Sequence, residues 1–379
     1  MTTSHLRVDR DARESSDSSA PSERRWDDAP EDETVSSDNT VAAVLRYVKR
    51  IRDTSVFGEV SEVLFSTADT FLAASVVSAA DGGSHSWPTV EMPRAVYVWR
   101  TKNFLCGRAN GYSYPINLGT VRTTGPLAFS GLPDNMLAVP DIPRGAAAAG
   151  LDTYDLEVSK RRKSSSKAAL RPPLAWSPDG ALLAGASNPN PSRIVVVDAQ
   201  TQKPVMVIPN HSAELTHLAF TLDGAALVSI AKDGFVRMTS TRTGQTLGTF
   251  EVESRSPPAL MRVSPDGELV ASVWGRDVML WYPRTGVVDG YRLAAVRTTE
   301  GWPLCISPDC RFLACRTETG FDVADLATGK LLAEVTSNSE SSFVTAASFS
   351  SDGSWLAVGK HSGSIQLYSF GLVRQADSR

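Results

Sequence analysis

Beyond residue 40 the chain is written in short apolar runs separated by polar turns. Leu174-Ala175-Trp176 gives way to Ser177-Pro178-Asp179-Gly180, and the apolar stretches Ala181–Ala184 and Ile194–Val197 follow. Short runs rich in Val, Ile, Leu and aromatic residues, bounded by Gly, Pro, Asp and Ser, predict strands. The order then repeats. First strands are predicted at Leu174–Trp176, Leu218–Phe220, Leu260–Val263, Leu304–Ile306 and Ala346–Phe349. Second strands follow at Ala181–Ala184, Ala226–Ile230, Leu269–Val273, Phe312–Cys315 and Trp355–Val358, and third strands at Ile194–Val197, Phe235–Met238, Val278–Trp281, Phe321–Ala324 and Ile365–Tyr368. Three third strands lead into Thr-Gly, at Thr243-Gly244, Thr285-Gly286 and Thr328-Gly329, where glycine supplies the positive φ of a tight hairpin.

The residue before each Ser-Pro-Asp-Gly-like turn is Trp176, Phe220, Val263, Ile306 or Phe349, at spacings of 44, 43, 43 and 43 residues. A fixed period of that size, filled with short strands and turn residues, predicts a β-propeller and not a helical repeat. The same template finds two divergent copies upstream. One runs Leu127–Ser130, Met136–Val139 and Thr153–Asp155; the other runs Val63–Ser66, Thr70–Val77 and Ala95–Trp99. The fold class is therefore all-β, a seven-bladed propeller of four-stranded blades over residues 41–371, with a disordered acidic, Ser-rich tail at 1–40 and a polar tail at 372–379. After Ile365–Tyr368 only eleven residues remain, ending in Gln-Ala-Asp-Ser-Arg, so the last blade needs a fourth strand from elsewhere. Residues 41–49 are the expected donor, and such closure removes the open sheet edges of an unclosed array.

These residues resemble the WD-repeat β-propeller family. The Ser-Pro-Asp-Gly turns, the Thr-Gly turns and the period carry the resemblance. The name-giving Trp-Asp pair is degenerate: its positions read Trp99-Arg100, Tyr154-Asp155, Val197-Asp198, Thr239-Ser240, Trp281-Tyr282, Ala324-Asp325 and Tyr368-Ser369. The resemblance implies a non-catalytic scaffold that binds one or more proteins, as a monomeric propeller serving as subunit or adaptor of a larger intracellular complex. It also implies a structural role for His211. Nine residues before Phe220, where the family has Gly-His, this chain has Asn210-His211; with Ser229 and Asp233, and Thr239 in the Trp place, most of the family's hydrogen-bond network is present.

Charge and composition narrow the field. The net charge is -4 in 379 residues, which gives no global attraction to nucleic acid. Residues 1–40 hold eleven Asp/Glu and five Arg, a net of -6, so the remainder stands near +2. Such a stretch buries too little to fold. The polar start argues against a secretory signal, and no run of about 18 apolar residues offers a bilayer span. Four cysteines are too few for a disulfide framework at this length, which fits a reducing cytoplasmic or nuclear compartment. Cys305, Cys310 and Cys315 read as core and turn residues of one blade, Cys310 in the turn-glycine place, with no His nearby for zinc.

Chemistry is sparse. His211, Ser229 and Asp233 are the residue types of a nucleophile, base and orienter, but the family's structural network accounts for them. No phosphate loop, no metal-ligand spacing and no carboxylate cluster is present, so no cofactor, metal or enzymatic activity is expected. Three departures from the regular blade stand out. Residues 78–94 make a long excursion between second and third strands of the first blade, with His85, Trp87, Glu91 and Arg94 as candidate partner-binding residues. A second excursion at the same place in the next blade contributes Asp141 and Arg144. Together they form either a raised wall for a partner or tolerated surface drift. The third departure is Lys160-Arg161-Arg162-Lys163-Ser164, where an outer strand belongs. It is either a targeting or phospho-regulated element or a charged edge that blocks sheet association; through it alone could nucleic acid be held, weakly. An alternative function, a phosphoinositide-binding propeller of the autophagy type, requires Phe-Arg-Arg-Gly after an outer strand. The comparable position here is Phe250-Glu251-Val252-Glu253, of the wrong sign, so a membrane partner is disfavoured.

Overall fold

The computed structural model describes residues 33–34, 41–51, 58–78, 94–102, 116–121, 127–130, 136–141, 150–157, 160–162, 170–252, 258–274, 277–283, 292–294, 302–326, 329–336 and 343–374. Within them the chain is a seven-bladed β-propeller. Two N-terminal strands, β1 (Glu33–Thr34) and β2 (Val41–Ile51), precede the blades. Blade 1 holds β3 (Gly58–Phe65), β4 (Phe71–Ser78), β5 (Arg94–Arg100) and β6 (Ile116–Val121); blade 2 holds β7 (Ala128–Phe129), β8 (Met136–Asp141), β9 (Gly150–Asp155) and β10 (Lys160–Arg162). Blade 3 is β11 (Leu170–Trp176), β12 (Leu182–Ser187), β13 (Ile194–Asp198) and β14 (Pro204–Ile208). Blade 4 is β15 (Leu215–Phe220), β16 (Ala226–Ala231), β17 (Phe235–Ser240) and β18 (Thr246–Glu251). Blade 5 is β19 (Leu260–Val263), β20 (Val270–Trp274), β21 (Asp277–Trp281) and β22 (Arg292–Ala294); blade 6 is β23 (Trp302–Ile306), β24 (Phe312–Arg316), β25 (Gly320–Asp325) and β26 (Leu331–Thr336). Blade 7 comprises β27 (Val344–Phe349), β28 (Trp355–Lys360) and β29 (Ile365–Arg374), completed by β2.

Each blade is an antiparallel meander, and the turn between its first two strands is set by local chemistry. In blade 3 the Ser177 hydroxyl accepts from the Leu182 N–H at 2.8 Å, while Asp179 accepts from the Ser177 hydroxyl at 2.5 Å and from the Ala181 N–H at 3.0 Å. Gly180 then turns the chain at φ 68°. Thr221 with Asp223, and Ser350 with Asp352, repeat the arrangement. Among the described turns, two lack the glycine: Cys310 at φ 56° and Asp69 at φ 55° occupy its place, a backbone region that costs an L-residue about 1–2 kcal/mol.

The core lies between blades rather than in one centre. Seven clusters of buried side chains each join neighbouring blades. Leu137, Tyr154 and Leu156 of blade 2 pack on Phe71, Val96 and Val98 of blade 1, and blades 3 and 4 meet through Ile194, Ile208, Leu215 and Leu227. The seventh cluster closes the ring: Ile51, Val60, Leu72 and Trp99 pack against Ala346, Ala357, Ile365 and Leu367. Gly359 is required there, because a Cβ would lie 2.5 Å from Val60 Cγ1. Asp69 fastens the same seam. Displaced one residue along its turn relative to Asp179, it accepts from the Ser351 N–H at 2.7 Å and the Ser351 hydroxyl at 2.6 Å.

Closure takes the expected route. β2 pairs antiparallel with β29 from Val41↔Arg374 to Ile51↔Ile365, and Leu45 is buried in the core shared by blades 6 and 7. Two boundaries differ from the sequence reading. β29 runs to Arg374, past residue 371, because β2 supplies ladder partners as far as Val41. Within residues 1–40, Glu33 and Thr34 pair with Leu45 and Val44, adding a fifth strand outside blade 7. The rest of that tail and residues 375–379 lie outside the described residues.

Candidate functional site

The most connected polar cluster is on blade 4. His211 precedes β15, Ser229 sits in the middle of β16, and Asp233 is in the β16–β17 turn, which Gly234 closes at φ 81°. The strands bring them together: His211 Nε2 lies 2.8 Å from Ser229 Oγ, and Nδ1 lies 3.0 Å from Asp233 Oδ2. Nε2 pairs with the Ser229 hydroxyl, and Nδ1 faces both the Asp233 carboxylate and the Arg237 guanidinium, whose Nη1 lies 2.6 Å away. Asp233 also accepts from the Ser212 N–H at 3.0 Å and from Arg237 Nη1 at 3.0 Å. Burial lowers the His211 pKa from its ordinary 6.5, against the pull of Asp233, and so favours the neutral ring. Burial acts to raise Asp233, but the Ser212 N–H, His211 and the Phe235 N–H outweigh it and hold the carboxylate low.

Two parts of this network differ from the sequence reading. Thr239 does not extend it from Ser229; its hydroxyl accepts from Asn210 Nδ2 at 2.9 Å. Arg237 was missed. It stands four residues after Asp233 across a hairpin turn, stacks over Phe235 at 4.5 Å and closes the cluster on its outer side. Only the Asp-x-x-x-Arg spacing hinted at it.

Ser229 and His211 have the mutual placement of a nucleophile and base, but Ser229 is 0% exposed and His211 is buried. Attack on a substrate needs a reacting atom about 3 Å from the nucleophile, and neighbouring side chains hold that space.

The partner-binding candidates divide. Arg94 opens β5 and Asp141 closes β8, so both belong to strands in the backbone ladder, paired with Val77 and Gly150 respectively. The two excursions therefore span 79–93 and 142–149, joining second to third strands of adjacent blades. His85, Trp87, Glu91 and Arg144 lie outside the described residues. Lys160–Arg162 form β10, the outer strand of blade 2, with Arg161 opposite Tyr154; the outer strand is thus present and short. Lys163 and Ser164 lie outside the described residues. At the position where a phosphoinositide reader would carry arginines, Phe250 and Val252 are buried and Glu251 is exposed, which leaves no cation there. Among the described residues no helix is long and apolar enough to cross a membrane, and no group of three His, Cys, Asp or Glu could hold a metal ion.

Two family profiles match this chain: the anaphase-promoting complex subunit 4 WD40 domain over residues 174–273, and the WD domain, G-beta repeat, over residues 329–369. A curated relative, the Target of rapamycin complex subunit wat1 of Schizosaccharomyces pombe, is 29% identical over 109 residues. That alignment covers 28% of this chain and about a third, 34%, of the relative. With its seven blades, its Ser-x-Asp-Gly turns and these matches, the chain is a β-propeller of the WD-repeat family.

Proposed function

We propose that this protein is a non-catalytic scaffold, a subunit or adaptor that holds other proteins in a larger complex. The observation that carries the reading is a closed ring whose most catalytic-looking cluster is sealed. Ser229 and His211 are buried and are tied to the partly buried Asp233, and a satisfied network of this kind rigidifies a blade. The relative with a complex-subunit name supports the same reading. The partner surface is the face that carries the 79–93 and 142–149 segments, both of which join second to third strands in adjacent blades.

The direct test compares partners recovered from the native cell by the full chain and by a variant with residues 79–93 replaced by a short Gly-Ser turn. Loss of specific partners, with unchanged thermal unfolding, is the expected result; an identical partner set would refute that face. We further propose that Lys160–Lys163 direct the protein to the nucleus, with Ser164 phosphorylation opposing this through its added negative charge. Replacing the four residues by Ala should move a tagged protein to the cytoplasm. Unchanged location, with self-association of the purified variant, would instead make the strand an edge guard.

A further inference from the structure

Exposed apolar side chains gather on the face opposite the 79–93 and 142–149 segments, where first strands turn into second strands and third into fourth. Leu222, in the β15–β16 turn, is 55% exposed, Leu247 of β18 is 59% exposed, and Tyr282, just after β21, is 39% exposed. All three border one opening. Between blades 4 and 5 lies a cavity of about 440 Å³, walled by Ala226, Met238, Leu247 and Pro283, with Thr221 and Asp223 on its polar side. Leu222 sits between the last two of these residues in the chain, and Tyr282 immediately precedes Pro283.

The cavity has a local origin. In the β17–β18 pairing Met238 stands opposite Gly248 and Thr239 opposite Thr246, so Leu247 is the extra residue of a bulge and projects from the blade. Blade 3 has the same bulge, but there Met206 stands opposite Val196 and packs on the core shared with blade 4. Gly248 takes the place of Met206, and a Cβ built on it would meet nothing nearer than the Trp281 ring at 3.5 Å. The missing side chain leaves the seam open beside Met238.

The surroundings of the opening are anionic. On this face each described turn from first to second strand carries a carboxylate: Asp69, Asp179, Asp223, Asp266, Asp309 and Asp352. Glu268, exposed in the blade 5 turn, stands where blade 4 has Ala225. Beside the cavity these charges outnumber Arg242, which follows Thr241, whose N–H bonds the Ala225 carbonyl at 3.0 Å. An apolar hole rimmed by carboxylates repels an acidic segment and favours a basic one. We infer that this cavity is a docking site for a short segment of a partner protein in which a large apolar side chain is flanked by lysine or arginine. The apolar side chain enters between Met238, Leu247 and Pro283, and its flanking cations lie against Asp223 and Glu268.

This contact goes beyond the scaffold reading by placing a partner on the opposite face. Its test leaves residues 79–93 intact, so either can fail alone. The probe is a fluorescein-labelled heptapeptide, Lys-Lys-Leu-Phe-Leu-Lys-Lys, titrated with the full chain and followed by anisotropy. Expected are saturable binding, a loss of tenfold or more in affinity in Leu247→Ser and, separately, in Leu222→Ser, and a several-fold weakening from about 50 to about 500 mM salt. Both side chains are largely exposed, so thermal unfolding of each variant should match the parent. Glu268→Gln should weaken binding several-fold at the lower salt and leave it unchanged at the higher. The peptide Glu-Glu-Leu-Phe-Leu-Glu-Glu, with the same apolar centre, should not bind. Equal binding of the glutamate peptide, undiminished binding by both leucine variants, or no saturation by the lysine peptide at millimolar concentration would overturn the inference. So would self-association of the chain that Leu247→Ser abolishes, because the occupant would then be a second copy.

Discussion

Removing the strand that closes the ring separates the contribution of β2 from that of the tail before it. Deleting residues 1–40 takes away, among the described residues, only the two-residue pairing of Glu33 and Thr34. Deleting 1–51 also takes away β2, which places Leu45 in the core between blades 6 and 7 and Ile51 in the core between blades 7 and 1. Tyr47 goes too, with its ring edge-on to Tyr368 at 5.8 Å. At about 1.5–3 kcal/mol for each buried aliphatic side chain and about 1 kcal/mol for the half-buried ring, lost burial amounts to about 4–7 kcal/mol. The ladder hydrogen bonds and the entropy of ordering eleven residues oppose each other and are taken to offset. Urea unfolding of the full chain and both truncations measures the difference. The shorter truncation should unfold near the parent midpoint, the longer one far below it, and the Leu45→Ala variant between them, down by about 2–5 kcal/mol. A peptide of residues 41–51 added in trans should restore part of the loss. Equal midpoints for the two truncations would refute the closure argument.

Four other outcomes follow from buried residues. His211→Ala removes the 2.8 Å partner of the buried Ser229 hydroxyl and one of several partners of Asp233, and should cost about 1–3 kcal/mol in denaturant unfolding. Because burial holds His211 and His217 below 6.5 in the native state, the unfolded chain binds more protons as pH falls through that value; parent stability should decline below about pH 6.5, less steeply in the His211 variant. Gly359→Ala forces a methyl group against Val60 and should destabilise by about 1–3 kcal/mol, with Val60→Ala relieving part of it; full parental stability of Gly359→Ala would show that the seam yields. Burial, with Glu334 opposite, raises the Asp322 carboxyl from 3.8 to about 6, and its Oδ1 has no partner. The native state therefore holds a proton that the unfolded chain has lost between those values, and this contribution fades as pH rises through 6. Asp322→Asn should gain about 1 kcal/mol at pH 8, after allowance for solvent screening, and nothing below pH 4; a gain independent of pH would refute the assignment.

Much of this architecture was legible in the residues because a propeller blade is a local object. A meander of short strands is specified by turn chemistry and period, so Ser177-Pro178-Asp179-Gly180 and its copies located the strands of five blades, and the template carried to two more. Even closure was deducible, since a blade missing its fourth strand has to find one. The polar network was half visible: His211, Ser229 and Asp233 sit at repeat positions, whereas Arg237 joins them only because β16 and β17 are paired.

Contacts between blades were decided in three dimensions. Asp69 and Ser351 are 282 residues apart, and nothing in either segment names the other; the ring has to close before the carboxylate meets the serine. The exposure of Val205 and Val207 is likewise invisible in a strand that looks like any other, because it depends on the strand's place at the outer edge of its blade. Sequence determines a blade through short-range hydrogen bonds and hydrophobic alternation. Which side chains end up sealed, strained or left open depends on the faces that neighbouring blades present, and those are set only by tertiary packing.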